Sequence, residues 1–308
     1  MTPNRCDPFQ LNFSQIRVFH AVVKCGNYSR AAEHLDISQP AVSLQIKSME
    51  QKIGKHLLRR KGRQVILTDA GRRVMRSASQ IVSLMTELNA TFDSQSAVHT
   101  GQVTIGITSP YFLKLVAALI HRFPEMRIRI LLSNTEDMYD HLHHFRVETA
   151  FVTQTNPRRG FFNHRFFEQR IYACLPQDHP WTAQETVGLE ELCQEPLIYR
   201  ETGSMTQRIF EKAVATHGLE PAVVLRVSTR EAVKEAVASG LGVGFVFDVE
   251  FGCDARLAAV PISDADLRAW QFLVCMENLE QTRLVQDLIR IADAFSPAGD
   301  LPATTRRY

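Results

Sequence analysis

A run of polar and basic side chains near the N-terminus has the spacing of a surface that reads a polyanion. From Phe13 the chain reads FSQIRVFHAVVKCGNYSRAAEHLDISQPAVSLQIKSMEQKIG. Within it Val42, Ile46, Met49 and Ile53 recur at helical spacing and form one apolar stripe, while Gln39, Pro40, Ser43, Leu44 and Lys47 lie off it. Gln pairs with an adenine edge and Ser with several bases, so this outward face suits a helix whose first turns enter the major groove. Arg59-Arg-Lys-Gly-Arg63 followed by Val65-Ile-Leu67 predicts a two-strand wing, whose arginines reach flanking phosphates or the minor groove.

A second set of residues has the chemistry of an anion site. Thr108-Ser109-Pro-Tyr111, Ser133-Asn134-Thr135-Glu136, Glu201-Thr-Gly-Ser204 and Ser228-Thr229-Arg230-Glu231 each sit where a strand reading gives way to a helical one. Ser109 is an expected N-cap, and the runs from Ser133 and Ser228 fit the S-x-x-E capping box. Helix N-termini with hydroxyl side chains attract anions, and Arg200 and Arg230 lie close in sequence. Thr108, Ser109, Tyr111, Asn134, Thr135, Arg200, Ser204, Thr229 and Arg230 are therefore the candidate small-anion residues.

The elements that must position these groups are legible in outline. Ser14 is an expected N-cap before Ile16, Phe19 and Val23, and Gly26-Asn27 ends that helix. Ser29–Leu35 is a short helix whose Ala31 and Ala32 let another helix approach closely. Asp36-Ile-Ser38 is the turn, and Pro40 falls in the first turn of the next helix, where its missing N–H costs nothing. After Gly71 no Gly or Pro appears to about Ser94, and Val74, Ala78, Ile81, Met85, Leu88 and Phe92 keep a heptad-like seam that favours a partner helix. Beyond it, candidate strands (103–107, 128–132, 149–152, 171–175, 197–199, 223–227, 243–247, 272–275) alternate with helical patterns (111–123, 138–144, 205–217, 231–238, 280–295). That alternation predicts an α/β fold with largely parallel sheets and a ligand beyond the strands' C-terminal ends.

Bulk properties narrow the class. The 308 residues suffice for about two domains. Residues 1–100 hold 14 Lys+Arg against 7 Asp+Glu, although the whole chain is only +2, so a basic N-terminal segment precedes an acidic body. No run approaches the ~18 apolar residues of a membrane span, and the first residues lack a signal peptide's basic-then-apolar layout. The six Cys include no CxxC, so they read as free thiols in a reducing cytoplasm rather than as zinc ligands or disulfides. His141, His143 and His144 lack companion ligands, and Gly240-Leu-Gly-Val-Gly244 runs from helix to strand, the wrong order for a dinucleotide fingerprint. No GxSxG, HExxH or P-loop is present. No catalytic residue, metal or cofactor is expected.

The residues Ala31-Ala32, Ser38-Gln-Pro-Ala-Val-Ser43, Gln45-Ile-Lys47, Glu50, Gly54, Leu57, Arg60, Arg63 and Leu67-Thr-Asp-Ala-Gly71 resemble the winged helix-turn-helix of LysR-type transcriptional regulators, and the likeness continues to about Phe295. The resemblance implies DNA contacts at Gln39, Pro40, Ser43, Lys47, Arg60 and Arg63. Many relatives have Arg after the Ser; this chain has Leu44, which can hold neither a phosphate nor a guanine, so its site preference departs from the usual pattern. Implied domains are a DNA-binding domain at 11–68 (helix-turn-helix 28–47), a linker helix at 69–98 that dimerises antiparallel, and a periplasmic-binding-protein-like effector domain at 99–308. Its lobes would be about 101–170 with 272–295, and 171–271. A cytoplasmic homotetramer, a dimer of dimers, is expected.

The motifs Thr108–Tyr111, Ser133–Glu136, Arg200–Ser204, Thr229–Ala236 and Glu250-Phe-Gly252 further resemble the subgroup associated with 2-aminoethylphosphonate catabolism. That likeness implies a small phosphonate-bearing amine, or its breakdown product, as effector of a catabolic operon, with Asp248, Glu231 or Glu136 meeting the amine. Sulfate, carboxylates and other oxyanions fit the same features. The alternative class is a small-molecule-binding protein or enzyme whose basic N-terminal segment serves only oligomerisation. The DNA reading predicts that Gln39→Ala or Ser43→Ala lowers the ratio of specific to nonspecific affinity. Arg63→Ala should instead weaken binding to all sequences and flatten the salt slope, both read by mobility-shift titration.

Overall fold

The computed structural model describes residues 11–61, 64–92 and 102–295. The N-terminal unit packs three helices, α1 (Phe13–Cys25), α2 (Tyr28–Leu35) and α3 (Gln39–Ile53), against a hairpin of β1 (Leu58–Lys61) and β2 (Gln64–Leu67). The first cap is Asn12 rather than the expected Ser14. Asn12 Oδ1 accepts from Gln15 N at 2.8 Å and Gln15 Oε1 accepts from Asn12 N at 3.3 Å, a reciprocal box one turn deep. Asn27 and Ser38 cap α2 and α3. Ala31 and Ala32 are buried, together with Val18, Phe19, Val42, Ile46 and Met49, so the small side chains let the helices cross closely.

The Leu67–Gly71 motif has a mechanical role. Glu50 of α3 accepts from Leu57 N at 2.7 Å and Leu58 N at 3.2 Å, pinning the start of the wing. Thr68 donates to the His56 carbonyl at 2.7 Å and accepts from Gly71 N at 3.0 Å, starting α4 (Asp69–Phe92) against the same loop. A Cβ on Gly71 would lie 2.0 Å from the Leu57 carbonyl oxygen. Along α4, Met75 and Ala78 are buried against the winged unit, whereas Leu84 and Leu88 are exposed. The Phe92 side chain, Arg63 and residues 93–101 lie outside the described set.

The rest is a two-lobed α/β unit. It continues with β3 (Gln102–Ile107), α5 (Leu113–Arg122), β4 (Arg127–Leu132), α6 (Thr135–His143), β5 (Thr149–Gln154), β6 (Phe161–Pro176), α7 (Leu189–Gln194) and β7 (Leu197–Arg200). Then come α8 (Met205–Thr216), β8 (Val223–Val227), α9 (Arg230–Ala238), β9 (Gly244–Phe247), β10 (Leu257–Pro261), β11 (Arg268–Met276) and α10 (Arg283–Asp293). One sheet runs β10-β6-β11-β5-β3-β4, with β9 also on β6, and β7 pairs with β8 separately.

The sheets are mixed rather than largely parallel. β3 is parallel to β4 and β5, but β6 and β11 run antiparallel to each other and to their other neighbours. The reason is topological: the chain leaves the first lobe along β6 and returns beside it along β11. β6 serves both lobes, pairing with β11 up to Arg170 and with β9 and β10 from Ile171. β11 begins at Arg268, within the span expected for the second lobe.

The winged unit is tied to the first lobe. Lys24 Nζ lies 2.6 Å from Glu148 Oε1, Gln80 donates to the Asn278 carbonyl at 2.9 Å, and Asn278 donates to the Arg76 carbonyl at 2.8 Å. Gly71→Ala should destabilise the winged unit by ~2 kcal/mol or more, because backbone must move to admit the methyl. Thermal unfolding and loss of operator binding at raised temperature check this.

Candidate functional site

Two surfaces gather the candidate residues. On the first, Gln39, Pro40 and Lys47 are exposed and Ser43 is half-buried along the outward side of α3. Gln39 Nε2 donates to Ser43 Oγ at 3.1 Å, which holds the amide with its oxygen free as an acceptor. Exposed Arg59 and Arg60 on β1 line, with Tyr28, Ser43 and Lys47, a groove of about 240 Å³ between α3 and the wing. The surface thus joins hydrogen-bonding groups on a helix to cations on an adjacent hairpin. That is the pairing needed for base-edge contacts flanked by phosphate contacts.

The second surface is a cleft of about 260 Å³ between the lobes. Three helices begin on it. Asn134 caps α6 by accepting from Asp137 N at 2.9 Å, Ser204 caps α8 by accepting from Gln207 N, and Thr229 caps α9 by accepting from Ala232 N at 3.1 Å. The first-turn residues ahead of those bonds, among them Thr135, Thr206 and Arg230, line the cleft. The expected caps Ser133 and Ser228 are each displaced by the next residue, because Asn134 and Thr229 take the extended cap conformation.

The cleft is lined by charges of both signs. Arg230 is buried and donates to Ser109 Oγ at 2.8 Å across the lobes; its Nη1 also lies 2.7 Å from Glu250 Oε2. Arg200 donates to Glu201 Oε1 at 3.1 Å and to the Ser228 carbonyl at 3.2 Å, while its Nε is buried with no hydrogen-bond partner. Burial lowers the Arg200 pKa from its ordinary value, and Glu201 opposes that only in part. Glu201, Glu231 and Glu250 share the lining with two guanidiniums and pair with them, Glu201 with Arg200 and both Glu250 and Glu231 with Arg230, so a small ligand meets cations, carboxylates and helix N–H groups side by side.

Seven of the nine candidates line this cleft: Thr108, Asn134, Thr135, Arg200, Ser204, Thr229 and Arg230. Ser109 is only 1% exposed and acts from behind, holding Arg230. Tyr111 does not line the cleft; its ring packs edge-on against Phe112, Phe167 and Phe295. Among the acids, Glu231 lines the cleft and Asp248 and Glu136 do not. Asp248 accepts from Val249 N at 2.8 Å and Arg170 N at 3.3 Å at the lobe crossing. Glu136 bridges Arg158 at 3.1 Å and Arg208 of the second lobe at 3.0 Å; burial alone would raise its pKa, but the two arginines hold it lower.

Sequence reasoning missed Thr153, Glu201 and Glu250 as lining residues. Thr153 stands one residue past the expected strand at 149–152, and Glu250 lies two residues beyond Asp248, the acid expected in that segment. Under the cleft, Thr135 donates to the Thr153 carbonyl at 3.2 Å and Thr153 donates to Gln271 Oε1 at 3.0 Å. Gln169 Oε1 and Gln271 Nε2 are buried there with no hydrogen-bond partner.

A winged helix-turn-helix joined by a long helix to a two-lobed domain with a polar interlobe cleft defines a ligand-responsive DNA-binding regulator. Residues 13–72 match the bacterial regulatory helix-turn-helix protein, lysR family, and residues 96–296 match the LysR substrate binding domain. The chain belongs to the LysR family of transcriptional regulators, a family of regulators and not of enzymes, which sets aside the enzyme alternative.

Similar proteins include the RuBisCO operon transcriptional regulator of Allochromatium vinosum, 32% identical over 77% of this chain and 79% of that protein. The transcriptional activator CmpR of Synechocystis is 25% identical over 89% of this chain and 92% of that protein. In fold, a full-length OxyR variant of Pseudomonas aeruginosa superposes with a TM-score of 0.77 at 20% identity, covering 95% of this chain and 98% of that one. The regulatory domain of Synechocystis CcmR, solved in complex with 2-PG, has a TM-score of 0.57 at 19% identity over 63% of this chain and 96% of that one.

Burial pushes the Asp248 carboxyl from 3.8 up to about 6, against its two backbone N–H bonds, which favour the charged form. A raised folded pKa means that Asp248 supports the fold at low pH and that this support is lost as pH rises through about 6. Asp248→Asn should therefore be more stable than the parent above pH ~6, by ~2 kcal/mol, with the gap closing towards pH ~4. Urea unfolding midpoints across that range provide the check.

Proposed function

We propose that this chain is a cytoplasmic, effector-controlled regulator of a catabolic operon, and that its effector is a small phosphonate-bearing amine or a breakdown product of it. The carrying observation is a cleft that gathers helix N-termini, two guanidiniums and three carboxylates. Three capped helix starts with Arg200 and Arg230 suit a phosphonate, and Glu201, Glu231 and Glu250, which pair with those arginines, suit an ammonium group on the same ligand. Gln39, Pro40, Ser43, Lys47, Arg60 and Arg63 form the DNA-reading set in this proposal. The α4 seam of Val74, Ala78, Ile81, Met85, Leu88 and Phe92, of which Ala78 packs on its own winged unit and Leu88 is exposed, supplies an antiparallel linker-helix dimer, two of which make the tetramer. An effector that changes the Arg230–Ser109 and Arg208–Glu136 contacts across the cleft shifts the population between lobe arrangements, and so the spacing of the DNA-binding units.

A second reading is favoured by the names of relatives. Several regulate RuBisCO operons, and the CcmR regulatory domain carries 2-PG. On that reading the effector is an oxyanion without an amine and the operon serves carbon fixation.

Thermal shift and titration calorimetry on the purified protein separate the two, comparing 2-aminoethylphosphonate, phosphonoacetaldehyde, phosphonoacetate, 2-PG, phosphate and sulfate. Selective stabilisation by 2-aminoethylphosphonate or phosphonoacetaldehyde, lost in Arg230→Gln, is the expected result. Tight binding of 2-PG with no heat from any phosphonate would replace the first reading with the second.

A further inference from the structure

Leu44 breaks the chemistry of the helix that faces DNA. At about 100° per residue it stands on the side of α3 opposite the stripe of Val42, Ile46 and Met49, which is buried. It is 68% exposed, more than any other large hydrophobic side chain among the described residues. Pro40 lies one turn before it on the same outward side, so two apolar groups sit at the centre of a face otherwise made of Gln39, Ser43 and Lys47. The groove between α3 and the wing is lined by Ser43, Lys47, Arg59 and Arg60 but not by Leu44. The Gln39–Ser43 hydrogen bond fixes the polar half of the face beside it.

An apolar side chain presented to a major groove has few complements there. The base edges offer nitrogen and oxygen donors and acceptors almost throughout, and the exception is the 5-methyl group of thymine. We propose that Leu44, backed by Pro40, is a specificity-determining residue that recognises a thymine methyl in each half-site, next to the bases met by Gln39 and Ser43. Because 5-methylcytosine carries the same group at the same ring position, it substitutes for thymine at this contact. The proposal needs only the DNA-binding role of α3 and is independent of the effector.

The test uses the full-length chain. Binding duplexes are selected from a random pool, and each thymine of the selected duplex is then replaced singly by deoxyuridine, which removes only the methyl. The expected result, by fluorescence anisotropy, is one position per half-site at which the replacement weakens binding about fourfold, the worth of one buried methyl. Leu44→Ala, at an exposed site that leaves the core intact, should bind the thymine and deoxyuridine duplexes alike. Leu44→Met should keep the discrimination, and 5-methylcytosine should bind better than cytosine at that position. Binding insensitive to every deoxyuridine replacement, or the same penalty in Leu44→Ala as in the parent, overturns the proposal.

Discussion

The antiparallel pairing of β6 with β11 is the constraint on which the regulatory half depends. One strand carries the chain out of the first lobe, the other brings it back, and their hydrogen bonds run along Arg170 to Phe161 opposite Arg268 to Met276. With both crossings side by side, the lobes share a seam and face each other over it. The β-to-α junctions then open on the space between them, which is why α6, α8 and α9 all start at the cleft. The polar layer under that space, with Gln169 and Gln271 each leaving one buried atom unpaired, is costly by about 1–3 kcal/mol per group. A layer of that kind is less tightly committed to one arrangement than the apolar cores on either side.

Of the interlobe links Arg230–Ser109 and Arg208–Glu136, the first involves a residue that lines the ligand space. Arg230 of the second lobe is held by Glu250 of its own lobe and by Ser109 of the first, with little exposure on either ionic side chain. A buried guanidinium is tolerated because it is paired and hydrogen-bonded; removing one partner strands the other. An anion that draws Arg230 towards itself competes with Ser109, so ligand chemistry and lobe contact are coupled through one side chain.

How much of this was legible in the sequence follows the physical range of each signal. The winged helix-turn-helix was readable because its determinants are local: the apolar stripe of α3, the small Ala31 and Ala32, Pro40 after the Ser38 cap. The cleft was legible as a set of helix starts, and seven of nine named residues line it. Tyr111 was misplaced because the direction of its ring is set by Phe167 and Phe295, far away in sequence. The first half of β6, FFNHRFFEQR, escaped detection since its Phe doublets and polar triplets follow no period-two pattern and it is held by pairing with β11, a partner distant in sequence. The same distance hid the mixed sheet and the role of Glu250, whose partner Arg230 lies on another element.

The Lys24–Glu148 and Asn278–Arg76 contacts fasten the winged unit and the start of α4 to the first lobe. Within one subunit the DNA-binding head and the first lobe are thus joined directly, and a displacement of the second lobe alone would leave that joint intact. In the oligomer proposed above, such a displacement would reach DNA where the second lobe presses on a neighbouring subunit, and not through its own head.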